Sequence, residues 1–449
     1  MADYIERGAT VQRSALSANM PRLSAAAAAV GTVVFIVAPL TAPYLMAGVM
    51  AVALAACGAA IGALLPPRLP WPMTILCVAE AYLVLSIAWS PSPATAIAAT
   101  AVLAVFILAL STTLNALPHI EEETLLASAQ GLIAGFAIGG AFLLFEQLSG
   151  LWLHRVALSL IPRLHTGALR GMAERGGWVV HMDPFLLNRN MAAGAALFWP
   201  VALALSRIPN SRRPGLRLAL TLGPAAAAIA LSEHATSQVA ITGAAVVFAV
   251  ARFSAKRARV ALAVIWTAAT LLVVPMAGGL YASGLYRADW LPFSFRHRIV
   301  IWGYTSAQVP KAPILGAGIG AAHVAGRIPN APRAPGSEIA LSTSWHSHNA
   351  YLQAWYETGA VAALLLLSFG LALLQAIGRS PPDTVPYLLA VFCAGALAAA
   401  SSYSLWQSWV MGSMSLAAIN ALAMVSLAVR QERSLMCEAR PPPRAAAAT

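Results

Sequence analysis

Long apolar runs follow one another along this chain, and they restrict its fold more than any other feature. Stretches close to the roughly 20 residues a helix needs to cross a bilayer recur near 24–42, 44–65, 71–89, 94–114, 125–149, 191–206, 215–232, 237–252, 258–279, 349–377, 386–404 and 408–429. In lipid the backbone must satisfy its own hydrogen bonds, so such runs fold as helices. Composition agrees: 59% of the 449 residues are hydrophobic and 10% are charged, against about a quarter charged in a soluble protein, and the mean hydropathy is +0.73. The expected fold is an all-α polytopic membrane protein with about 12 transmembrane helices.

Basic residues set the orientation, because short loops keep Lys and Arg on the cytoplasmic side. Residues 1–23, with Arg7, Arg13 and Arg22, read as a cytoplasmic tail, since they lack a small-residue cleavage pattern. An even number of spans returns the chain to the same face. That face then gathers Arg68, Arg207, Arg212, Arg213, Arg217, Arg252, Lys256, Arg257, Arg259, Arg379 and the tail 430–449. The opposite short loops, near 90–93 and 405–407, carry no basic residue. The connection 115–124 has Glu121, Glu122 and Glu123 instead, but acidic residues weigh little in this rule. The chain thus divides into helices one to five (24–149), a first outer loop (150–190), helices six to nine (191–279), a large outer loop (280–348) and helices ten to twelve (349–429).

The net charge of +12 does not point to nucleic acid, because topology accounts for the cytoplasmic share. Topology does not require Arg155, Arg163, Arg170, Arg175, Arg189, Arg287, Arg296, Arg298, Lys311, Arg327 and Arg333, which lie in the two long loops. Long loops translocate regardless of charge, so these residues call for another reason. The four cysteines, Cys57, Cys77, Cys393 and Cys437, fall in spans or the tail, so neither a disulfide framework nor a zinc spacing is indicated.

The first loop holds LWLHRVALSLIPRL, an amphipathic stretch suited to lying in the membrane interface. It ends in Asn188, Arg189 and Asn190, where the chain re-enters the membrane. Two readings stand there: a helix cap with a snorkelling arginine, or an anion site at a helix N-terminus. In the second loop, FRHRIVIWGY places Arg298 and Trp302 on one helical face. The glycines Gly316, Gly318 and Gly320 lack the strand–helix unit of a dinucleotide site and read as turn formers. The loop closes on SWHSHNAYLQAWYETG, where Asn349, Gln353 and Tyr356 or Glu357 form a polar stripe with His346 and His348 at its mouth. A His-x-His metal site is weak here, since no cysteine and few carboxylates, such as Asp183, Asp289 and Glu338, could complete it.

Three patches, DPFLLNRNMAA (183–193), Arg298-x-x-x-Trp302 followed by PILGAGIG, and HSHNAYLQAWYETG (346–359), resemble the O-antigen ligase family of bacterial membrane glycosyltransferases, which also covers O-antigen and exopolysaccharide polymerases. The resemblance implies a GT-C-like, metal-independent, inverting transferase of the inner membrane that needs no cofactor. Its donor would be a glycan on undecaprenyl pyrophosphate, taken at the periplasmic face, and its acceptor a lipid A–core hydroxyl or, in a polymerase, another carrier-linked glycan. It further implies His348 as general base and Arg298 as pyrophosphate ligand, with Arg189 as partner. His346, Asn349, Gln353 and Tyr356 would position the acceptor. Relatives often carry a Ser-Arg pair where this chain has Ser237-Gln238 preceded by Glu233 and His234, so the role of that arginine would pass to Arg175 or Arg296. A lipid-linked glycan transporter is the alternative of another class. Transporters place ionisable residues mid-membrane in repeated halves, whereas here only Glu80 lies mid-span and no repeat is detected. A scaffold without chemistry would leave the outer arginines unexplained.

Overall fold

A computed structural model describes residues 15–56, 69–161, 171–208, 213–327, 331–401 and 403–438. Most of the tail 1–23 with Arg7 and Arg13, the end of the run 44–65 with Cys57, Arg68, Arg163, Arg170, Arg212 and the tail beyond 438 lie outside the described residues.

Five helices precede the first long loop: α1 (Ala15–Val37), α2 (Ala42–Ala56), α3 (Trp71–Ser86), α4 (Pro93–Ala116) and α5 (Glu122–Ser149). The loop holds α6 (Trp152–Leu160) and a hairpin of β1 (Met172–Arg175) and β2 (Trp178–Met182). Then come α7 (Asn188–Arg207), α8 (Pro214–Leu231) and α9 (Ala235–Leu271). The run 258–279 ends in α10 (Val273–Ala282), and the second loop contains α11 (Phe293–Gln308) and α12 (Ala321–Ala325). Last are α13 (Ala350–Gln353), a π-turn over Ala354–Thr358, α14 (Gly359–Ile377), α15 (Val385–Ser401) and α16 (Ser408–Glu438). Among the described residues, eight helical stretches are long and apolar enough to cross a membrane.

Two departures from simple apolar periodicity have local causes. The hairpin interrupts an otherwise helical fold because Gly176 and Gly177 both take positive φ, 60° and 79°, as tight hairpin turns require. In α9, Ser254 is extended at φ −155° and ψ 93°, and the chain turns back there. His234, just before the helix, bonds to Tyr403, while Thr270 near its other end accepts from Trp355. The runs 237–252 and 258–279 are therefore two passes joined at a break.

Contacts between connections define two ends of the bundle. At one end, Ser90 bonds to Ile319, Gln147 to Leu231, Thr236 to Ser401 and Gln353 to Ser404; both long loops lie here. At the other, Arg207 pairs with Asp383 at 2.6 Å and Arg430 donates to the carbonyls of Leu117 and Pro118. That second end also carries Lys256, Arg257, Arg259 and Arg379, so it is the basic end. Close packing holds the bundle: a Cβ on Gly131 would lie 2.1 Å from Ala25 O and one on Gly135 would lie 2.4 Å from Ala29 O, so small residues let α1 press against α5.

Candidate functional site

The second loop has a core of its own. Ile299, Val300 and Ile301 are fully buried, with Trp302, Tyr351, Leu352 and Trp266 around them. Burying this side of α11 fixes where the polar residues of its other faces stand. Arg298 is half-buried among His234, His346 and Tyr403, each close enough for its charge to be felt. Trp302, one turn further along, is packed edge-on against Phe295, and its indole N–H is buried without a hydrogen-bond partner.

His234 sits between α8 and α9. Its Nδ1 is 2.7 Å from Ser237 Oγ and its Nε2 3.0 Å from the Tyr403 hydroxyl. Burial first, and the Arg298 charge second, push its pKa down to about 4. The ring is therefore neutral and bridges two hydroxyls beside the guanidinium. Sequence reading had noted His234 only as a departure from the family pattern. Tyr403, in the short connection before α16, belongs to no motif and gave no signal at all.

The histidine segment is held in an unusual backbone. Ser344 and His348 take φ of 54° and 52°, a region sparsely visited by residues with a side chain. The His348 N–H donates to His346 Nδ1 at 3.2 Å, and the two rings lie 4.0 Å apart. A neutral imidazole that accepts at Nδ1 carries its proton on Nε2, so His346 offers a donor. Burial, His348 and Arg298, in that order, push its pKa down to about 3. Asn349 caps the helix that follows, its side chain accepting from Leu352 N at 3.0 Å.

Below this segment, Glu357 gathers three parts of the chain. Fully buried, its carboxylate accepts from Ala322 N at 2.8 Å, Gln353 Nε2 at 3.0 Å and the Trp406 indole. Ala322 O in turn accepts from Thr343 Oγ1, three residues before His346. The glycines lie against the same backbone. Gly318 N–H donates to Glu357 O at 2.8 Å, and a Cβ on Gly316 would lie 2.4 Å from Glu357 C. Both have positive φ, 76° and 90° for Gly316 and Gly318, so no other residue fits without strain. The turns expected of this segment are thus also a packing surface. The polar stripe read along 349–357 is not one face of a regular helix: the π-turn over Ala354–Thr358 interrupts it, and Gly359, at φ 67°, ends that turn. Gln353 bonds to Glu357, Ser404 and Leu405 within the fold, and Tyr356 is buried.

The remaining arginines stand elsewhere. Arg296, two residues from Arg298 and so pointing to another side of α11, pairs with Asp289 at 3.1 Å. Arg175 is exposed on β1, and Arg189 is exposed in the first turn of α7. Next to it Asn190 is buried and donates to Ile36 O and Val37 O at 2.9 and 2.8 Å, tying α7 to the end of α1. The carboxylates considered as metal ligands are engaged separately: Asp183 with His181, Asp289 with Arg296 and Glu338 with Arg333. Among the described residues no group of three His, Cys, Asp or Glu is placed to hold a metal ion.

Residues 220–367 match the family model described as O-Antigen ligase. No curated protein matches the chain. The matched stretch runs from α8 into α14 and includes His234, Arg298, the glycine segment and the histidine segment, while the patch 183–193 lies before it. Over this stretch, about a third of the chain, the protein is similar to the O-antigen ligase family.

Proposed function

We propose that this protein is a glycosyltransferase that takes a glycan from undecaprenyl pyrophosphate at the periplasmic face and transfers it to an acceptor hydroxyl, with lipid A–core as acceptor. The observation that supports this best is the juxtaposition of one partly desolvated arginine, Arg298, with His346, whose ring lies 4.0 Å from that of His348. The bundle would cross the inner membrane twelve times, with both termini cytoplasmic and the loop end outside.

In this reading His348 takes the proton from the acceptor hydroxyl as its oxygen attacks the anomeric carbon. The bond to the pyrophosphate oxygen breaks on the opposite face, which inverts the configuration. Charge collects on the leaving pyrophosphate, where the Arg298 guanidinium binds it by paired hydrogen bonds, joined by the exposed Arg189 from the first loop. His346 is a poor base at a pKa of about 3, and its Nε2–H suits it to holding an acceptor oxygen. Arg175 and Arg296 are peripheral cations in this scheme, and Asn349, Gln353 and Tyr356 keep the histidine segment in place. Arginine can meet the charge on the leaving group without a metal, so we expect activity to survive EDTA.

The test is transfer by the purified protein from carrier-linked glycan, with and without lipid A–core. Product that appears only when lipid A–core is added supports the ligase. Lengthening of the carrier-linked glycan without it would make the protein a polymerase with the same donor chemistry. No transfer in either case, from a protein that binds the donor, would favour a transporter.

A further inference from the structure

At the basic end of the bundle, opposite the site just described, a groove of about 750 Å³ opens between α3, the second pass of α9 and α14. One wall is Trp71, Thr74, Ile75 and Val78 of α3, a spacing that puts all four on one helical face. Leu371 of α14 lines it across from them, and Arg259 of α9 joins the lining. Arg259 is set into the groove rather than out in solvent. A Cβ on Gly378 would come within 1.6 Å of its Nη1 and 2.6 Å of its Cζ, so the guanidinium lies across the C-terminal end of α14, where a helix favours a cation.

Among the described residues that charge has no anion partner. Asp383, the carboxylate in the α14–α15 connection, is held by Arg207 at 2.6 Å, and among the described residues no carboxylate pairs with Arg259. Lys256, Arg257 and Arg379 are exposed close by in sequence and add charge of the same sign. Orientation within the membrane asks only for basic residues near the surface, which the exposed Lys256 and Arg257 already supply. It does not ask for a guanidinium laid into an apolar groove beside a glycine that makes room for it. Trp71, 64% exposed at the same end of the groove, is the residue type that settles at headgroup depth.

We propose that this groove binds one anionic phospholipid, its phosphate against Arg259 and an acyl chain along the α3–α14 wall. Apolar walls select a lipid, the unpaired guanidinium selects an anionic one, and Trp71 marks the depth of its headgroup. The assignment does not depend on how the site around Arg298 is read.

The experiment uses the full chain, purified in mild detergent and stripped of lipid, with phosphatidylglycerol and phosphatidylcholine offered in competition and retained lipid counted by native mass spectrometry. Wild type is expected to keep one phosphatidylglycerol in preference to phosphatidylcholine. Arg259→Gln should lower that preference by about fivefold, the worth of one basic residue at an anionic surface, and Arg257→Gln should leave it unchanged. Gly378→Leu keeps every charge but fills the space the guanidinium occupies, so it should lose the preference as Arg259→Gln does. Equal retention of the two lipids by wild type would overturn the proposal. Equal losses in Arg259→Gln and Arg257→Gln would do the same, since they would show diffuse attraction rather than a site. Should Arg259→Gln fail to fold, a normal preference in Gly378→Leu is decisive against it.

Discussion

The two long loops contain the same kinds of residue and use them differently. In the first, polar groups are spent on holding the loop itself. Glu146, fully buried at the end of α5, accepts from the N–H groups of Leu153 and His154 and from the His154 ring, which fixes the start of α6. Arg155 donates to Val180 O, and Ser159 accepts from Val179 N, so helix and hairpin form one unit. Trp152, Leu160, Trp178 and Val180 remain exposed on it, as expected of a unit lying in a membrane interface. In the second loop the polar groups are drawn inward, and burial changes their chemistry: His346, together with His234 from the α8–α9 connection, is held neutral beside Arg298. A count of arginines alone, five in each loop, would rank the loops as equals. Burial separates them.

If chemistry belongs to the second loop, its base should give the largest single effect. General-base assistance is typically worth about 10²–10⁴ in rate. We expect His348→Ala to lose that much transfer at normal expression, and His346→Ala to lose clearly less. Initial rates on carrier-linked donor at matched protein levels decide the matter. A dead His346 variant beside a working His348 variant would exchange the two roles. Near-normal rates in both would end the case for a histidine base.

Arg298 comes next. Losing one group that stabilises developing charge costs about 10²–10³ in rate, and a lysine ammonium cannot reproduce the two-pronged grip of a guanidinium. Arg298→Lys should therefore be nearly as impaired as Arg298→Ala. A fully active lysine variant would reduce Arg298 to a diffuse positive charge and weaken the contrast between the loops.

A smaller effect concerns stability. His234 and His346 have folded pKa values of about 4 and about 3, below the ordinary 6.5. Between those values and 6.5 the unfolded chain takes up protons that the folded one refuses. The stability these rings contribute is thus complete above pH 6.5 and is lost as pH falls toward 4. The melting temperature in detergent should drop between pH 7 and pH 5. His234→Gln, which keeps a polar group near Tyr403, should make that drop shallower. An unchanged pH dependence would show that His234 is not held neutral by the fold.

How much of this was legible in the sequence follows from the range of the interactions involved. Apolar runs are local, and the long apolar helices among the described residues fall on them, including the two passes that meet at Ser254. Arg298, His346 and His348 were singled out because polar residues at a membrane boundary stand out against their neighbours. His234 and Tyr403 are 169 residues apart, and no pattern in either stretch announces that they touch. Glu357 was read as part of a helical stripe, but its partners Ala322, Gln353 and Trp406 come from three segments. The π-turn that breaks the stripe ends at Gly359, whose backbone packs against Ile314 and Gly316, a contact local periodicity does not encode.

The smallest expected effect is also the most direct test of the contrast. Arg175 and Arg189 are both exposed and belong to the first loop and its exit, yet Arg189 was expected to share the pyrophosphate with Arg298. Exposed charges interact weakly because water and salt screen them. Arg175→Ala should leave transfer close to normal. Arg189→Ala should raise the donor concentration needed for half-maximal rate while leaving the maximal rate much less affected, as fits a group that attracts an anion without gripping it in the transition state. The Arg189 effect should also fade as salt is raised, whereas the loss in Arg298→Ala should persist, because that guanidinium is half-buried. A collapse of the maximal rate in Arg189→Ala that high salt does not lessen would place it with Arg298 in the reaction, and the division between a holding loop and a reacting loop would fail.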